Sequence, residues 1–354
     1  MTATVTKAGP YYSSGSISFS SLRLNFKESA SGSISASELR KNTTTTNTNP
    51  VVPDATENAS ISTSSNLKLS HFRNTIKYYY ITQTGTDTNF DIDAQTWNTN
   101  LSKNIRKWLY VQGTIGSNST GSSAADFNST AYNLTIDVSG NIYGAGGTSG
   151  TSATISGGNG GNALSITNTS GSNLIVNVRS SANIYGGGGG GEKGNKGADG
   201  SGGTCVVSET FTSGCQEQSN SCPGGWTQSA SWNNCCQWRR GCAANNWSKT
   251  CYYTYPTSGG IGGEGGNGAT GRGYNNLSGS LLGAGGAGGT GGGGCGATDG
   301  QTGEPGGSGG DWAGLGGNTN NTGNGGSPGR AIAGSNYSVV GTINTTTLKG
   351  LFNP

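Results

Sequence analysis

The stretch NLIVNVRSSANIYGGGGGGEKGNKGADGSGG (Asn173–Gly203) joins two periodicities. Its first half places apolar side chains at every second residue from Leu174 to Val178, which is the period of a β-strand. Its second half places glycine at every third residue from Gly191 to Gly203. The chain is therefore expected to pass directly from a strand into a glycine segment with a threefold repeat.

The strand half of this stretch occurs twice. NLTIDVSGNIYGAGG (Asn133–Gly147) returns as NLIVNVRSSANIYGGGG (Asn173–Gly189), and in both copies Asn-Ile-Tyr leads into glycine. A strand that recurs at this interval predicts stacked units or a small solenoid layer.

The glycine half also recurs, in runs that begin near Gly259, Gly285, Gly300 and Gly323. Three residues per turn is the period of the polyproline-II helix, whose N–H and C=O groups have no partners inside the helix. Glycine lets neighbouring segments approach until those groups pair, so the runs predict a stack of polyglycine-II helices. Collagen shares the period, but only 8 prolines are present, which favours a stack within one chain.

The composition agrees with a mainly β and irregular fold. Glycine supplies 68 of the 354 residues, charged residues only 10% and hydrophobic residues 30%. These values exclude an ordinary α/β enzyme with a large aliphatic core. The formal net charge of +3 gives no indication of a nucleic-acid partner.

The N-terminal part carries a shorter repeat. SGSISFSSLR (Ser14–Arg23) recurs as SGSISASELR (Ser31–Arg40), and NLKLSHFR (Asn66–Arg73) resembles its second half. Each copy is typical of a serine cap followed by a short turn or helix. Because such modules are too small for independent cores, we expect them to dock on a partner or on each other; the alternative is a flexible tail.

One helix is predicted after the N-terminal repeats. In WNTNLSKNIRKWLYVQ (residues 97–112), Leu101, Ile105, Trp108 and Leu109 recur at helical spacing. We expect this stripe to face the core.

The segment Cys205–Cys251 differs in kind from the rest of the chain. With a single histidine in the chain, the cysteines favour disulfides over a metal site; they are Cys205, Cys215, Cys222, Cys235, Cys236, Cys242, Cys251 and Cys295. The segment is also rich in aromatic residues and arginine, which either form the core of a disulfide-stapled domain or contact a ligand.

No catalytic constellation is visible in the sequence. His71 lies in the N-terminal repeat and is interpreted as structural or solvated. Glu264, Asp299, Glu304 and Asp311 could flank a glycosidic bond, but they are more simply explained as solubilising turn residues. We therefore predict a protein that is not an enzyme and needs no metal or cofactor.

Two groups of motifs resemble a known family. The SGSISxSxLR modules are similar to N-terminal modules of bacteriophage tail-fibre and baseplate-associated proteins, notably of marine phages. NIYGGGGGG, the GGX runs and GRAIAGSNYSVVG (Gly329–Gly341) resemble the glycine-rich distal regions of phage tail fibres and adhesins. The resemblance to the adhesin of T-even-like phages implies a polyglycine-II sandwich whose loops bind the host surface. The cysteine segment departs from that pattern.

The resemblance implies candidate tip loops around Tyr274–Asn276, Asp311–Leu315 and Asn318–Thr322. Together with the cysteine segment, they supply the residues expected to contact a receptor: Trp226, Trp232, Trp238, Arg239, Arg240, Trp247, Tyr252, Tyr253, Tyr274, Asn275, Trp312 and Asn318.

The expected organisation has six parts. They are attachment modules (1–80), a connecting region (81–132), the β-repeat with the first glycine run (133–204), the disulfide insert (205–258), the polyglycine-II stack (259–330) and a closing strand (331–354).

The expected function is a receptor-binding protein of a phage tail fibre. Its partners would be other virion tail proteins, through the N-terminal region, and a host surface glycan or outer-membrane protein; a homotrimer is also expected. Disulfides form in an oxidising compartment, but the start of the sequence lacks the apolar segment of a secretory signal. A virion protein released by lysis would explain both observations, and so would signal-independent secretion. The alternative function is a purely structural virion decoration or extracellular filament subunit.

Overall fold

The structure is a computed structural model. It describes residues 6–8, 15–27, 31–42, 52–64, 66–95, 97, 103, 105–131, 133–152, 154–168, 174–213, 227–228, 247–278, 286–289 and 295–352. The chain divides into two compact units. Unit 1 comprises Met1–Lys193, Asn267–Gly283 and Gly306–Pro354, and unit 2 comprises Gly194–Gly266 and Ala284–Pro305.

Unit 1 begins with the three N-terminal repeats. Its first repeat forms helix α1 (Phe19–Leu22), followed by a π-helical turn at Arg23–Lys27. Short 3-10 turns occupy Thr56–Asn58 and Leu69–Phe72. Two short strands, β2 (Lys41–Asn42) and β3 (Val52–Pro53), pair in parallel beside them.

The first two repeats cap their turns in the same way. The amide of Ser21 donates to Ser18 Oγ at 3.1 Å, and the amide of Glu38 donates to Ser35 Oγ at 3.3 Å. In the third repeat the amide of Lys68 donates to His71 Nδ1 at 3.4 Å. The predicted serine cap is confirmed for the first two repeats and is wrong for the third, where Lys68 occupies the cap position and its amide is bound by His71.

The three repeats dock on each other. Their equivalent side chains Leu22, Leu39 and Phe72 are buried in one small hydrophobic core. The preceding apolar position of each repeat packs against the same core, through Ile17, Ile34 and Leu67. Three short repeats without cores of their own thus bury apolar surface by sharing one.

The main body of unit 1 is a β-solenoid built from three sheets. The strands of the first sheet are β1 (Thr6–Ala8), β4 (Tyr78–Gln83), β7 (Arg106–Val111), β10 (Leu134–Val138), β13 (Leu174–Val178) and β19 (Ser338–Gly341). The second sheet has β5 (Thr86–Thr88), β8 (Thr114–Gly116), β11 (Asn141–Tyr143), β14 (Asn183–Tyr185) and β20 (Leu348–Lys349). The third sheet has β6 (Phe90–Asp91), β9 (Ala125–Ser129), β12 (Leu164–Asn168) and β18 (Ile332–Ser335). All these neighbours pair in parallel except β1 and β4.

The sequence repeat is the coil of this solenoid. Leu134 lies opposite Leu174 and Asn141 lies opposite Asn183, so the two copies stack in register. The side-chain amide of Asn183 donates to Asn141 Oδ1 at 2.7 Å, which continues the stacking on the second sheet. The predicted strands and their stacking are confirmed.

The predicted helix over residues 97–112 is wrong, because residues 106–111 form strand β7 between β4 and β10. Lys107, Leu109 and Val111 point into the core, whereas Arg106, Trp108 and Tyr110 point outwards. The buried lysine at an inward position conceals the strand alternation, since a charged side chain is normally taken as exposed. Leu109 and Trp108, which the helix would place on one face, lie on opposite faces of the sheet.

The ammonium group of Lys107 is fully buried. Its Nζ donates to the carbonyl oxygens of Lys103 at 2.8 Å and Ile105 at 2.7 Å. Burial lowers the pKa of Lys107 to about 7, while the nearby charge of Asp54 acts in the opposite direction. The unfolded chain has the ordinary pKa of 10.5, so between these values the folded state binds fewer protons and stability rises with pH.

We therefore expect the native chain to become more stable relative to a Lys107→Met variant as the pH rises. Between about pH 7 and about pH 8.5 the difference in unfolding free energy should change by about 1.5 kcal/mol. Denaturant unfolding of both proteins across this range measures it, and the shared titration of other groups cancels in the difference. A difference that stays constant with pH would contradict the lowered pKa.

Glycine segments leave the solenoid after β11 and again after β14. In unit 1, the amides of Gly147 and Gly150 donate to the carbonyl oxygens of Gly188 and Gly191, both at 2.8 Å. Further bonds at the same step of three residues run from Gly187 and Gly190 to Gly161 and Gly158, from Gly268 and Gly271 to Gly150 and Gly147, and from Gly326 and Gly329 to Gly190 and Gly187. We call this set of segments the glycine array of unit 1.

Unit 2 contains a second glycine array. The amides of Gly194, Gly197 and Gly200 donate to the carbonyl oxygens of Gly266, Gly263 and Gly260. The latter three residues donate in turn to Glu304, Gln301 and Thr298, whose amides donate back to Asn195, Ala198 and Ser201. Three segments thus close a ring of hydrogen bonds at every third residue.

Unit 2 also carries a long antiparallel ribbon. Strand β15 (Gly203–Ser213) pairs with β17 (Trp247–Thr257) along its whole length, and β16 (Thr227–Gln228) pairs with β17 on the other side. A disulfide joins Cys205 to Cys295. The remaining predicted disulfide cysteines lie outside the described residues, except Cys251, whose backbone is in β17.

Candidate functional site

Three aromatic rings meet where the glycine array of unit 1 joins the solenoid. Tyr143 and Tyr185 end the stacked strands β11 and β14, and their ring centroids are 5.6 Å apart. The ring of Trp312 stacks on Tyr143 at 4.8 Å and contacts Tyr185 at 5.5 Å. Only 9% of Trp312 is exposed, so the tryptophan anchors its loop on the solenoid.

Arg272 connects this ring cluster to a neighbouring loop. Its guanidinium carbon lies 5.5 Å from the centroid of the Trp312 ring, within the range of a cation–π contact. Nη1 donates to Asp311 Oδ1 at 2.9 Å, and Nε donates to the carbonyl oxygen of Leu277 at 3.1 Å. One side chain thereby holds residues 272–278 and residues 311–315 together; we call these two segments the two-loop surface.

The charge on this surface is fixed at neutral pH. Partial burial would raise the pKa of Asp311, but hydrogen bonds from the Trp312 amide and from Arg272 outweigh it, so that the pKa lies below the ordinary value. Asp311 therefore stays ionised and keeps its ion pair with Arg272. Since both side chains are largely exposed, the pair orients the loops more than it stabilises the fold.

Two leucines project from the two-loop surface. Leu277 is 54% exposed and Leu315 is 70% exposed. An exposed leucine by itself needs no explanation, but here both stand on turns that a buried tryptophan and an arginine hold in place. The arrangement presents apolar side chains beside a fixed ion pair on a rigid support.

The predicted residues Tyr274 and Asn275 lie in the first of these loops. The Asn275 side chain pairs with the backbone of Gly146, accepting from its amide at 2.7 Å and donating to its carbonyl oxygen at 3.3 Å. The ring of Tyr274 occupies the space that a Cβ on Gly116 would need. Both side chains therefore attach the loop to unit 1, and their role in receptor contact stays a prediction.

The third candidate loop, residues 318–322, is attached in a similar way. Asn318 Oδ1 accepts from the Gly325 amide at 2.7 Å. The Thr319 amide donates to the buried Glu192 at 2.6 Å, and Thr319 Oγ1 donates to the Lys193 carbonyl oxygen at 2.9 Å. Asn318, Asn320 and Thr322 are the exposed members of this loop.

The other predicted contact residues belong to the cysteine segment. Trp226, Trp232, Trp238, Arg239 and Arg240 lie outside the described residues, as do the side chains of three residues of β17. Those three are Trp247, Tyr252 and Tyr253. The contribution of the cysteine segment to receptor binding stays a prediction.

Sequence reasoning missed Tyr143, Tyr185, Arg272 and Leu277, and it included Leu315 only as the end of a candidate loop. For the two tyrosines a signal was present, because both copies of the strand repeat end in Asn-Ile-Tyr before glycine. Stacked strands in register necessarily place those rings side by side. For Arg272 and Leu277 no signal exists before the folding of the loops is known.

Chemically, the site offers apolar, aromatic and charged contacts for binding. Among the described residues, no group of three His, Cys, Asp or Glu side chains could hold a metal ion. Within the same ranges, no helix is long and apolar enough to cross a membrane.

In comparisons with known proteins, one family model matches part of the chain. The model of the phage tail fibre adhesin Gp38 family matches residues 75–250. A solved structure, the gp37–gp38 adhesin tip complex of the bacteriophage S16 long tail fibre, matches with 19% identity and a TM-score of 0.38, covering 82% of this chain and 88% of that chain. No curated protein matches. The resemblance to phage tail-fibre adhesins is thus confirmed, and over residues 75–250 the chain is similar to the phage tail fibre adhesin Gp38 family.

Proposed function

We propose that this protein is the receptor-binding adhesin of a phage tail fibre, carried in the virion tail and released at host lysis. It attaches to a host surface glycan or outer-membrane protein through loops on a rigid glycine-rich scaffold. The observation that carries the proposal is the two-loop surface, which exposes Leu277 and Leu315 on turns held by Arg272 and Trp312. The match to an adhesin family supports it.

The scaffold suits this task because it is a polyglycine-II stack. Backbone hydrogen bonds between neighbouring segments recur at every third residue in both arrays, as that helix requires. Added Cβ atoms would collide with the backbone of adjacent segments at most glycines of the arrays. Loops on such a support lose little conformational entropy when a receptor binds.

The N-terminal module attaches the chain to other virion tail proteins. Phe19 and Leu69 occupy equivalent positions in two repeats and are 56% and 37% exposed, and Leu24, which follows the first repeat, is 53% exposed. The guanidinium groups of Arg23 and Arg73 donate to the carbonyl oxygens of Gly32 and Gly15 in other repeats, which keeps the repeats in fixed positions. A rigid module with exposed apolar side chains is suited to docking on a protein partner.

A homotrimer stays a prediction. Glycine triplets such as those from Gly191 to Gly203 would suit three associating chains, but the amides of Gly191, Gly194, Gly197 and Gly200 donate to carbonyl oxygens of the same chain. Those donors are therefore already satisfied, and a trimer would need a different surface. The six-part organisation expected above, with residues 1–80 as attachment modules and 259–330 as the stack, likewise belongs to this proposal.

The proposal predicts that charge on the exposed leucines weakens attachment. We expect Leu277→Asp and Leu315→Asp each to lower binding of the full-length, fluorescently labelled chain to susceptible cells by about tenfold or more, since an ionised group would lose its hydration at the contact. Flow cytometry over a panel of candidate host strains measures it. Leu351→Asp is the matched control, because Leu351 is 68% exposed and lies outside the two-loop surface.

Native binding by both loop variants would contradict the two-loop surface as the contact. A native chain that self-associates and binds no strain would instead support the alternative function, a structural virion decoration or extracellular filament subunit.

A further inference from the structure

The outer face of the first sheet carries a row of aromatic rings that the adhesin function does not use. Tyr78 and Tyr80 on β4 and Trp108 and Tyr110 on β7 all point away from the solenoid core. Tyr78 meets Trp108 edge to face at 5.2 Å, and Tyr80 meets Tyr110 at 6.1 Å. The rings form one continuous aromatic surface across the two neighbouring strands.

A pocket of about 380 Å³ opens beside these rings. It is lined by Arg106, Trp108, Asn133, Thr135 and Ile175. Trp108 lies opposite Thr135 in the ladder, and Thr135 lies opposite Ile175, so one row across β7, β10 and β13 forms the floor. A volume in this range accommodates small ligands.

The charge at the pocket is positive. The exposed guanidinium of Arg106 stands at its edge, and it makes no ion pair with any residue that the structure describes. A second cation, Arg179, directly follows β13 and is already neutralised by two hydrogen bonds to Asp137, one of them at 2.8 Å from Nε. Arg106 is thus the cation at this pocket that remains available to an anion.

These features indicate the chemical class of ligand that the pocket would bind. The flat faces of aromatic rings pack against the C–H groups of a sugar, Thr135 offers a hydroxyl for hydrogen bonding, and a guanidinium binds a carboxylate or phosphate in bidentate geometry. We propose that the pocket of Arg106, Trp108 and Thr135 binds an acidic saccharide, with the sugar ring against Trp108 and its anionic group on Arg106. This site lies on a different sheet from the strands that support the two-loop surface, and it adds a second, lateral contact with a glycan-covered surface.

The test is binding of the full-length chain to immobilised oligosaccharides. The probes are oligosaccharides ending in glucuronic acid, galacturonic acid or glucose-6-phosphate, beside neutral counterparts ending in glucose and galactose. We expect binding to acidic probes and at least tenfold weaker binding to their neutral counterparts. The acid that is preferred, carboxylate or phosphate, identifies the source of the anionic group.

Arg106→Gln should lower the affinity for the acidic probes by about tenfold or more, and Trp108→Ala should abolish binding. Arg106 is exposed, so its variant remains informative even if Trp108→Ala fails to fold. Tyr110→Ala is the matched control, because Tyr110 points outwards on the same strand but does not line the pocket. Leu315→Asp should bind the probes normally, which separates this site from the attachment loops.

The proposal is overturned if no acidic probe binds the native chain, if neutral probes bind equally well, or if Arg106→Gln binds like the native chain.

Discussion

Replacement of Gly190 by alanine should destabilise the protein by about 3 kcal/mol or more, because the new methyl group has no space. A Cβ at this position would lie 1.8 Å from the carbonyl oxygen of Thr148 and 2.5 Å from its carbonyl carbon. Real Cβ atoms do not approach backbone atoms so closely. One of the two segments would therefore have to move.

The hydrogen bonds around Gly190 oppose such a movement. The Gly190 amide donates to Gly158 at 2.8 Å, and its carbonyl oxygen accepts from the Gly326 amide at 2.7 Å. The Thr148 carbonyl oxygen, which the methyl group would displace, accepts from the Gly158 amide at 2.7 Å. A shift that relieves the collision thus breaks bonds to several segments at once.

Gly85→Ala is the matched control. Gly85 is exposed, and a Cβ built on it would meet nothing within 4 Å. Alanine there should be neutral or slightly stabilising, because it restricts the unfolded chain. Thermal unfolding of both variants measures the contrast. Equal melting temperatures for the two variants would show that close backbone packing does not hold the glycine array of unit 1 together.

The threefold glycine period could be read from the sequence because it reflects a local requirement. Each amide of such a segment needs an outside partner, and only glycine permits the approach. The identity of the partners could not be read. Gly190 lies between Thr148, Gly158 and Gly326, which come from three separate parts of the chain, and every glycine run offers the same chemistry.

The strand repeat was predictable for a similar reason, whereas β7 was not. Leu134 and Leu174 stack in register because identical motifs occupy successive coils. In β7 the inward Lys107 replaces the expected apolar side chain, and it is tolerated because its ammonium group finds the carbonyl oxygens of Lys103 and Ile105. Those carbonyl groups lie before the strand, where no sequence pattern reveals them.

The candidate site was only partly predictable. The resemblance singled out Trp312 and Tyr274 by loop position, and the structure places both against the solenoid. The exposed residues Leu277 and Leu315 belong to one candidate surface only because Arg272 joins their two loops, which are far apart in sequence. That contact depends on how the folded chain brings the two loops together, so it could not be predicted from the sequence.

Loss of the disulfide between Cys205 and Cys295 should destabilise unit 2 by about 4 kcal/mol. The two cysteines are 90 residues apart, and a cross-link over such a length removes much of the entropy of the unfolded chain. The bond also ties β15 to the segment before Ala297, next to the point where Gly203 contacts the backbone of that segment.

The informative variant is Cys205→Ser/Cys295→Ser, which removes this bond and leaves the other cysteines untouched. Without the cross-link, the hydrogen bonds among residues 194–201, 260–266 and 298–304 alone must offset the entropy cost of closing a long loop. We therefore expect faster amide hydrogen exchange in these segments, measured by mass spectrometry.

Peptides covering β10 and β13 provide the internal control, because these strands belong to unit 1 and are paired in its first sheet. Unchanged exchange in β10 and β13 together with lost protection at Gly260, Gly263 and Gly266 would localise the effect to unit 2. If protection of those glycine amides survives in the double variant, the hydrogen bonds of the glycine array, rather than the disulfide, hold unit 2 closed.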